Sequence, residues 1–525
     1  MSEKVDMDRR EPSGADRSEP AQWRPDRNFW IVLSALMLTM LLSSMDQTVF
    51  SSALPTVVGE LHGLEHMAWV TTAYTLAATI GMPLYGKFGD AIGHKRAFVV
   101  GLGLFITGSL VAGAAQSMAM LIVGRAIQGL GGGGLMITSF SIIGLLVPAQ
   151  QRAKYSSPMG AMFGVGAVVG PLLGGWLTDA HSWRWALWIN VPLGLIALFA
   201  ALRGIQIKQE RQSVRVDVWG ILTMAVAVTS LILAASWGGG QYEWISPQIL
   251  GLAALSIIAW IAFVVREHRA EDPLMSLGMF RNKTFVLTTS IAILLVGIAN
   301  FAVVMYMPSY LQMSYGVTAM AAGLLMLPMS LGMVLTTMVS GAIIARSGYY
   351  RGVVMTGIAI GAIGIVLLSV IGDSASLWVA VACTIPIGIA MGTMIQNLMV
   401  VVQDQFDLRE TGRVTSAFNF FREIGATLGI ALVGSLFASR LGSYLTPGAL
   451  GDAASFMPDD PYALTPELVR QMPDAAQNLI AGAYSDALLP IYGWGVVVFI
   501  AGFVLTVLLP SKPLSSGSET VPVQD

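Results

Sequence analysis

Charged side chains lie inside long apolar stretches of this 525-residue chain, and three of them, Asp46, Arg125 and Glu423, are the ones of interest. A charged group within hydrocarbon is costly unless it is paired or hydrated, so each of the three is a functional candidate. Asp46 lies about seven residues before the outer end of its stretch and Arg125 about seven after the outer start of another, so both lie roughly 10 Å below the same surface. A nearby cation favours the ionised form of a carboxyl group, and loss of water favours the protonated form. A carboxyl group under both influences can bind or release a proton when its surroundings change. The residue types therefore indicate proton-linked chemistry, with a static ion pair as the alternative.

Glu423 is the second acidic candidate. It lies about ten residues into its stretch, near the middle of a bilayer, and directly follows Arg422. Adjacent helical positions point about 100° apart, so we expect these two side chains to need separate partners. Glu423 could carry a proton or contact a cationic substrate, and an interhelical hydrogen bond is the alternative.

The composition is that of an all-α polytopic membrane protein. The chain is 55% hydrophobic and only 11% charged, and its mean hydropathy is +0.69. A net charge of -2, with scattered cations, argues against a nucleic-acid partner. The single cysteine, Cys383, excludes an intrachain disulfide and a thiolate metal cluster. We expect no cofactor and no enzymatic reaction. We also expect no metal, because the zinc-protease-like segment HGLEH at 62–66 falls in a short loop.

Apolar segments of about 18 to 28 residues, the length a tilted helix needs to cross a bilayer, predict fourteen membrane-spanning helices. They are expected near 29–53, 68–86, 97–116, 118–147, 155–178, 183–203, 216–237, 247–266, 284–308, 320–345, 350–372, 376–404, 413–439 and 489–509. Of the 29 lysines and arginines, 24 fall on the side of the N-terminus, which predicts that both termini are cytoplasmic. The polar residues 1–28 are expected to be a retained tail and not a signal peptide.

An internal repeat predicts two related halves. The segment GKFGDAIGHKRAFVVG at 86–101 aligns with GAIIARSGYYRGVVMTG at 341–357, and both follow an even-numbered span. The aligned residues are Gly86 with Gly341, Gly93 with Gly348, and Arg96 with Arg351. A substrate path between the halves is the usual consequence of such symmetry.

The predicted domains follow from this repeat. They are a tail at 1–28, a six-helix bundle at 29–203, an inserted two-helix hairpin with its flanking loops at 204–283, a second six-helix bundle at 284–509 and a tail at 510–525. The second bundle includes a periplasmic loop at 440–488, in which residues 464–487 are expected to form short amphipathic helices on the membrane surface.

The stretch 157–177, SPMGAMFGVGAVVGPLLGGWL, combines glycines at helical spacing with a proline. The residues of interest are Gly166, Gly170, Pro171, Gly174 and Gly175. Small residues let a second helix approach closely, and proline removes one amide donor and bends the helix. The pattern indicates close, adjustable packing in a membrane protein that moves, although a static helix pair would fit equally well.

Seven segments in one order resemble the fourteen-spanner drug:proton antiporters of the major facilitator superfamily, and the resemblance covers almost all of 29–509. The segments are MDQTVFSSALP (45–55), GKFGDAIGHKR (86–96), LIVGRAIQGLGGGG (121–134), GAVVGPLLGGWL (166–177), WRWALWINVPLG (183–194), EDPLMSLGMFRNKTF (271–285) and FFREIGATLG (420–429). His94 departs from the pattern, because the family more often has arginine there.

The resemblance implies alternating access between two six-helix bundles. It makes spans 1 and 4 neighbours, so that Asp46 and Arg125 can pair, and it makes 166–177 the antiporter motif. It also implies that Asp90 locks the inner gate against helix ends and basic residues of the other half, with Gly93 and Arg96 in the same gating turn.

The predicted function is proton-coupled export of hydrophobic or cationic drugs by a monomer in a bacterial inner membrane. The expected partners are these small molecules, protons and membrane lipids. A proton-coupled exporter of an endogenous lipid or metabolite is the main alternative. A proton-coupled importer is disfavoured by the glycines and proline of span 5, and a membrane sensor by the absence of a soluble signalling domain. ATP-driven transport is disfavoured because the glycine run 131–134 lacks the features of a phosphate-binding loop.

Overall fold

The computed structural model describes residues 25–61, 67–206, 217–239, 242–371, 375–407, 410–445, 466–511 and 513–514. Every regular element in these ranges is a helix, apart from an isolated bridge between Gly238 and Tyr242. The predicted all-α class is therefore confirmed. The HGLEH segment at 62–66 lies outside the described residues.

The first part of the chain forms seven helices and the predicted insert forms two. They are α1 (Arg27–Leu61), α2 (Met67–Ile92), α3 (His94–Gly113), α4 (Met118–Leu146), α5 (Ala149–Ala180), α6 (Arg184–Trp188), α7 (Asn190–Gly204), α8 (Val218–Trp237) and α9 (Pro247–Arg269). Serine and aspartate side chains begin several of them by accepting a hydrogen bond from the first turn, including Ser117 before α4, Asp217 before α8 and Ser246 before α9.

The remaining helices follow a short 3₁₀ helix, Leu277–Arg281. They are α10 (Lys283–Ile291), a π-helix (Ala292–Asn300), α11 (Phe301–Tyr315), α12 (Ala319–Leu325), α13 (Leu327–Ser347), α14 (Arg351–Val370), α15 (Leu377–Gln403), α16 (Thr411–Tyr444), α17 (Pro466–Arg470) and α18 (Asp474–Val507). The α10, π and α11 segments form one continuous span.

Twelve helical segments of the described chain are long and apolar enough to cross a membrane. The two other predicted spans correspond to α2 and α5, which are 26 and 32 residues long. The count of fourteen therefore stays a prediction.

The structure corrects the predicted loop at 440–488. Helix α16 continues to Tyr444, and α18 begins at Asp474 and continues without a break into the last predicted span. The prediction of separate short helices over 464–487 is therefore wrong from Asp474 onward, where the chain forms one long helix. The physical reason is that Ala476, Ile480 and Ala487 of α18 are buried in an apolar cluster with residues of α11 and α16.

Helices of the two predicted halves meet along two seams. At one seam α2 packs against α16, and at the other α5 packs against α13. The inserted helix α8 contacts both α2 and α16, so it lies beside the first seam. The domain boundaries themselves stay a prediction.

The repeated glycines mark corresponding positions at these seams. A Cβ atom on Gly86 would lie 2.6 Å from the carbonyl oxygen of Gly412 in α16. A Cβ atom on Gly341 would lie 2.5 Å from the carbonyl oxygen of Ala153 in α5. Each seam therefore has a close helix crossing at which a larger residue would force the backbones apart.

Candidate proton-coupling and gating sites

Asp46 lies at the centre of a buried polar cluster in the first half. Its Oδ2 atom accepts a hydrogen bond from Nη1 of Arg125 at 2.5 Å, and its Oδ1 atom accepts from Nε2 of Gln128 at 2.7 Å and Nδ2 of Asn190 at 3.0 Å. All four residues are at most 1% exposed. The expected pairing of Asp46 with Arg125 is present, and the carboxylate has three donors contributed by α4 and α7.

Arg125 is held by more than its ion pair. Its Nη1 atom also donates to Oε1 of Gln128 at 2.8 Å, and its Nε atom donates to the carbonyl oxygen of Val70 at 3.3 Å. The guanidinium lies 4.4 Å from the ring centre of Tyr74 in α2, a cation–π distance. These contacts fix the guanidinium in place beside the Asp46 carboxylate.

Sequence reasoning missed Gln128, Asn190 and Ser109. The Ser109 hydroxyl oxygen accepts from Gln128 Nε2 at 2.8 Å. Gln128 lies one helical turn after Arg125, and Asn190 lies in the quoted segment WRWALWINVPLG, so spacing and motif membership were the available signals.

The predicted antiporter motif contacts α1 on both sides of Asp46. A Cβ atom on Gly166 would lie 2.5 Å from Oγ of Ser44, and one on Gly170 would lie 2.9 Å from the carbonyl oxygen of Met45. The Thr48 hydroxyl donates to the carbonyl oxygen of Gly166 at 3.0 Å. The remaining motif residues, Pro171, Gly174 and Gly175, also lie within α5.

The same helix contacts the other half through two further glycines. A Cβ atom on Gly164 would lie 2.6 Å from Cε of Met333 in α13. One on Gly160 would lie 2.6 Å from Cδ of Gln396 in α15. Helix α5 is therefore closely packed at these glycines, against the Asp46 helix on one side and against side chains of the second half on the other.

Glu423 and Arg422 form an ion pair, which corrects the expectation that they need separate partners. Nη2 of Arg422 lies 3.6 Å from Oε2 of Glu423. The 100° rule describes where the Cβ atoms point, but a long arginine side chain can curl back to its neighbour. Glu423 is not part of the Asp46 cluster, and its side chain is 20% exposed.

Asp90 closes the seam between α2 and α16. Its carboxylate accepts hydrogen bonds from the backbone N–H groups of Gly412 at 2.9 Å and Arg413 at 2.8 Å, in the first turn of α16. A carboxylate at a helix N-terminus is favoured by the unpaired N–H groups and the helix dipole. Nε2 of His94 lies 3.1 Å from Asp90 Oδ1. We call this end of the helices the Asp90 end; it is the end predicted to be cytoplasmic.

The other two predicted gating residues have different surroundings. Gly93 separates α2 from α3 with a φ of 98°, a conformation that favours glycine. Arg96 is exposed, and its side chain has no hydrogen bond or ion pair within the described ranges. The structure thus brings Asp90 and Gly93 to the turn but leaves Arg96 outside the Asp90 contacts.

Asp272 is a residue at the Asp90 end that sequence reasoning did not single out. It lies in the loop after α9, where its carboxylate is 3.4 Å from Nζ of Lys87 and 3.0 Å from Nη2 of Arg413. Lys87 also donates to the Asp272 carbonyl oxygen at 2.6 Å. The loop thus joins α2 of one half to α16 of the other.

Twelve long apolar helical segments in the described ranges, joined by close helix crossings, are the architecture of a multi-pass membrane protein. A profile of the Major Facilitator Superfamily matches residues 36–430. The chain belongs to the Major Facilitator Superfamily, which confirms the resemblance, and it is a transporter and not an enzyme.

Two relatives from Bacillus subtilis (strain 168) are similar over nearly the whole chain. The Multidrug transporter protein MdtP is 34% identical over 509 residues, covering 93% of this chain and 94% of the relative. Multidrug resistance protein 3 is 35% identical over 489 residues, covering 92% and 95%.

Solved structures with low sequence identity show the same fold. The human organic anion transporter MFSD10 (TETRAN) superposes with a TM-score of 0.62 at 14% identity, covering 92% of this chain and 100% of that structure. The proton:xylose symporter XylE gives a TM-score of 0.58 at 14% identity, covering 92% and 97%.

Proposed function

We propose that this protein exports lipophilic, often cationic drugs in exchange for protons, by alternating access between its two halves. The multidrug names of two relatives that are similar over more than nine-tenths of the chain support the substrate class. We place the protein in a bacterial inner membrane as a monomer. Both termini are cytoplasmic in this proposal, in agreement with the distribution of lysines and arginines.

The buried carboxyl group of Asp46 is the observation that carries the proposal. Ionised Asp46 matches its surroundings, because three donors point at it. Protonated Asp46 would not match them, because it loses its charge and gains an O–H donor that needs an acceptor. Asn190 Oδ1 has no hydrogen-bond partner among the described residues, so rotation of the Asn190 amide would supply that acceptor. Proton binding therefore favours a rearranged cluster.

The contacts of α5 supply a route from this rearrangement to the rest of the protein. Backbone and hydroxyl groups on both sides of Asp46 touch Gly166 and Gly170, while Gly160 and Gly164 touch the second half. A shift of α1 at Asp46 would be passed to α5 through the close contacts at Gly166 and Gly170, because closely packed helices transmit displacements. Asp90 at the first turn of α16 would stabilise the state that is closed at the Asp90 end.

In the proposed cycle, protons bind from outside to Asp46, with Glu423 as a second site. A substrate that enters from the cytoplasm then displaces them, and the loaded protein turns outward. One proton moving through about 150 mV releases about 3.5 kcal/mol, which supports roughly a 300-fold gradient of a neutral substrate.

The test is proton release on substrate binding. Purified protein in weakly buffered detergent is titrated with a panel of lipophilic cations, and the pH change is compared with that of Asp46→Asn. We expect release from the native protein and much less from the variant, in which only Glu423 remains. Absence of release with every cation tested would contradict the proposal. A drug-susceptibility panel on a deletion strain separates drug export from export of an endogenous product, and the direction of flux in vesicles separates an exporter from an importer.

A further inference from the structure

Arg422 is a buried guanidinium with few partners at the seam between the halves. Its side chain is only 6% exposed, and it belongs to a helix that is long and apolar enough to cross the membrane. One of its contacts is with the other half, where Nη2 lies 3.9 Å from the thioether sulfur of Met136 in α4. Its ion pair with Glu423 spans 3.6 Å, and its Nε atom has no hydrogen-bond partner among the described residues. A guanidinium has five N–H donors, so most of its hydrogen-bonding capacity is unused.

Asn419 lies one turn earlier on the same face of α16 and has a similar environment. Its Nδ2 atom donates to the carbonyl oxygen of Thr415 at 2.9 Å and lies 3.9 Å from the sulfur of Met399 in α15. Its Oδ1 atom has no partner within the described ranges. Thioether sulfur is a weak acceptor, and methionine side chains adapt easily to a new neighbour. Arg422 and Asn419 thus each have a thioether sulfur as one acceptor, and a stronger acceptor could replace that sulfur.

These residues also lie at a suitable depth for a transported molecule. Arg422 is roughly 16 Å along α16 from Thr411, which places it near the middle of a membrane about 30 Å thick. Because Met136 belongs to α4 and Arg422 to α16, separation of the two halves would uncover the guanidinium. Glu423 beside it is partly exposed already.

We propose that Arg422, assisted by Asn419, binds the carboxylate of lipophilic zwitterionic substrates, while Glu423 faces their cationic part. This inference rests on the proposed function, because it requires that the halves separate around a substrate. A carboxylate is the chemical match for the unused donors, since it can accept two N–H bonds from one guanidinium. The substrate range then includes acids that also carry a positive charge, in addition to simple cations.

The test uses two dyes that differ only in the group of interest. Rhodamine 6G is a cationic ethyl ester, and its hydrolysed form is a zwitterion with a free carboxylate on the same ring system. Fluorescence anisotropy gives the Kd of each dye for the detergent-purified protein. Arg422→Gln is expected to raise the Kd of the acid about tenfold, which is the effect of losing one charge-assisted hydrogen bond. The Kd of the ester should change less than about threefold. Arg422→Lys, which keeps the charge but loses the planar fork, is expected to lie between.

Arg440→Gln is the matched control, because it makes the same change about five turns further along α16. It should leave both Kd values as in the native protein. If Arg422→Gln does not fold, Asn419→Leu replaces it, with an expected rise of about threefold for the acid alone.

Equal effects of Arg422→Gln on both dyes would overturn the proposal. A native protein that binds the ester but not the acid would also overturn it, while leaving export of cations intact. Failure of the proposed function is recognised separately, as dye binding in which only the acid depends on Arg422, but no dye flux in response to a pH gradient.

Discussion

Replacing Asp46 with asparagine keeps the shape of the side chain and removes its charge. The carboxylate accepts from Arg125, Gln128 and Asn190, whereas an amide offers one acceptor oxygen and must turn its NH₂ group toward another donor. A buried charge left without its partner costs about 3–5 kcal/mol, and an unsatisfied buried donor about 1–3 kcal/mol. We therefore expect Asp46→Asn to be destabilised by roughly 4 kcal/mol and to lose pH-driven drug accumulation.

A second substitution separates proton coupling from helix packing. In Asp46→Asn combined with Arg125→Gln, both charges are absent, so no uncompensated charge remains in the cluster. We expect the double variant to recover most of the lost stability, because removing both members of a buried pair is far less costly than removing one. Its proton coupling should remain absent, because no titratable group is left at this position.

The assay is dye flux in proteoliposomes with an imposed pH gradient, accompanied by thermal unfolding of the same preparations. A coupled carrier can maintain roughly a 300-fold gradient, whereas an uncoupled one lets the dye equilibrate. A stable double variant that still accumulates dye at the native rate would refute the reasoning, because Asp46 would then be a static partner of Arg125.

Three further predictions concern the gate and the antiporter motif. Asp90→Ala removes the cap of α16 and should favour opening of the Asp90 end by about 1 kcal/mol, seen as faster alkylation of a cysteine introduced at the α2–α16 crossing. Asp272→Asn should increase the alkylation rate less than Asp90→Ala does, because water screens its partly exposed ion pair with Arg413. An unchanged alkylation rate would mean that the loop has no role in closure. Gly166→Ala should reduce transport and melting temperature, whereas Gly103→Ala, with open space around the added methyl group, should not; equal effects would contradict close packing as the cause.

Hydropathy predicted the presence of most helices but not where each one ends. The predicted spans 216–237 and 247–266 agree closely with α8 and α9, because a capping residue begins each helix where its apolar run begins. Helix α1 continues to Leu61 and α18 starts at Asp474, well outside the predicted spans. Hydropathy reports where the chain leaves the bilayer, and a helix can continue into water or pack on a neighbour beyond that point.

The sequence indicated charged members of the sites better than neutral ones. Asp46 and Arg125 were recognisable because charges in apolar spans are rare and costly. Gln128 and Asn190 are neutral amides, whose presence in a span carries little information until their neighbours are known. Asp272 lies in a polar loop where an acid is unremarkable, and only the fold brings it to Lys87 and Arg413.

The position of α5 explains why a small chemical event at Asp46 could control a large movement. One side of α5 meets α1 at Gly166 and Gly170, next to the carboxyl group, and the other meets the second half at Gly160 and Gly164. Two of the contacts of α5 involve backbone: a Cβ atom on Gly170 would lie 2.9 Å from the carbonyl oxygen of Met45, and one on Gly341 of α13 would lie 2.5 Å from the carbonyl oxygen of Ala153. A displacement at these two points cannot be absorbed by a change of rotamer alone. A transporter that couples protons to substrates needs such a rigid connection, because a compliant one would let the proton bind without moving the gate.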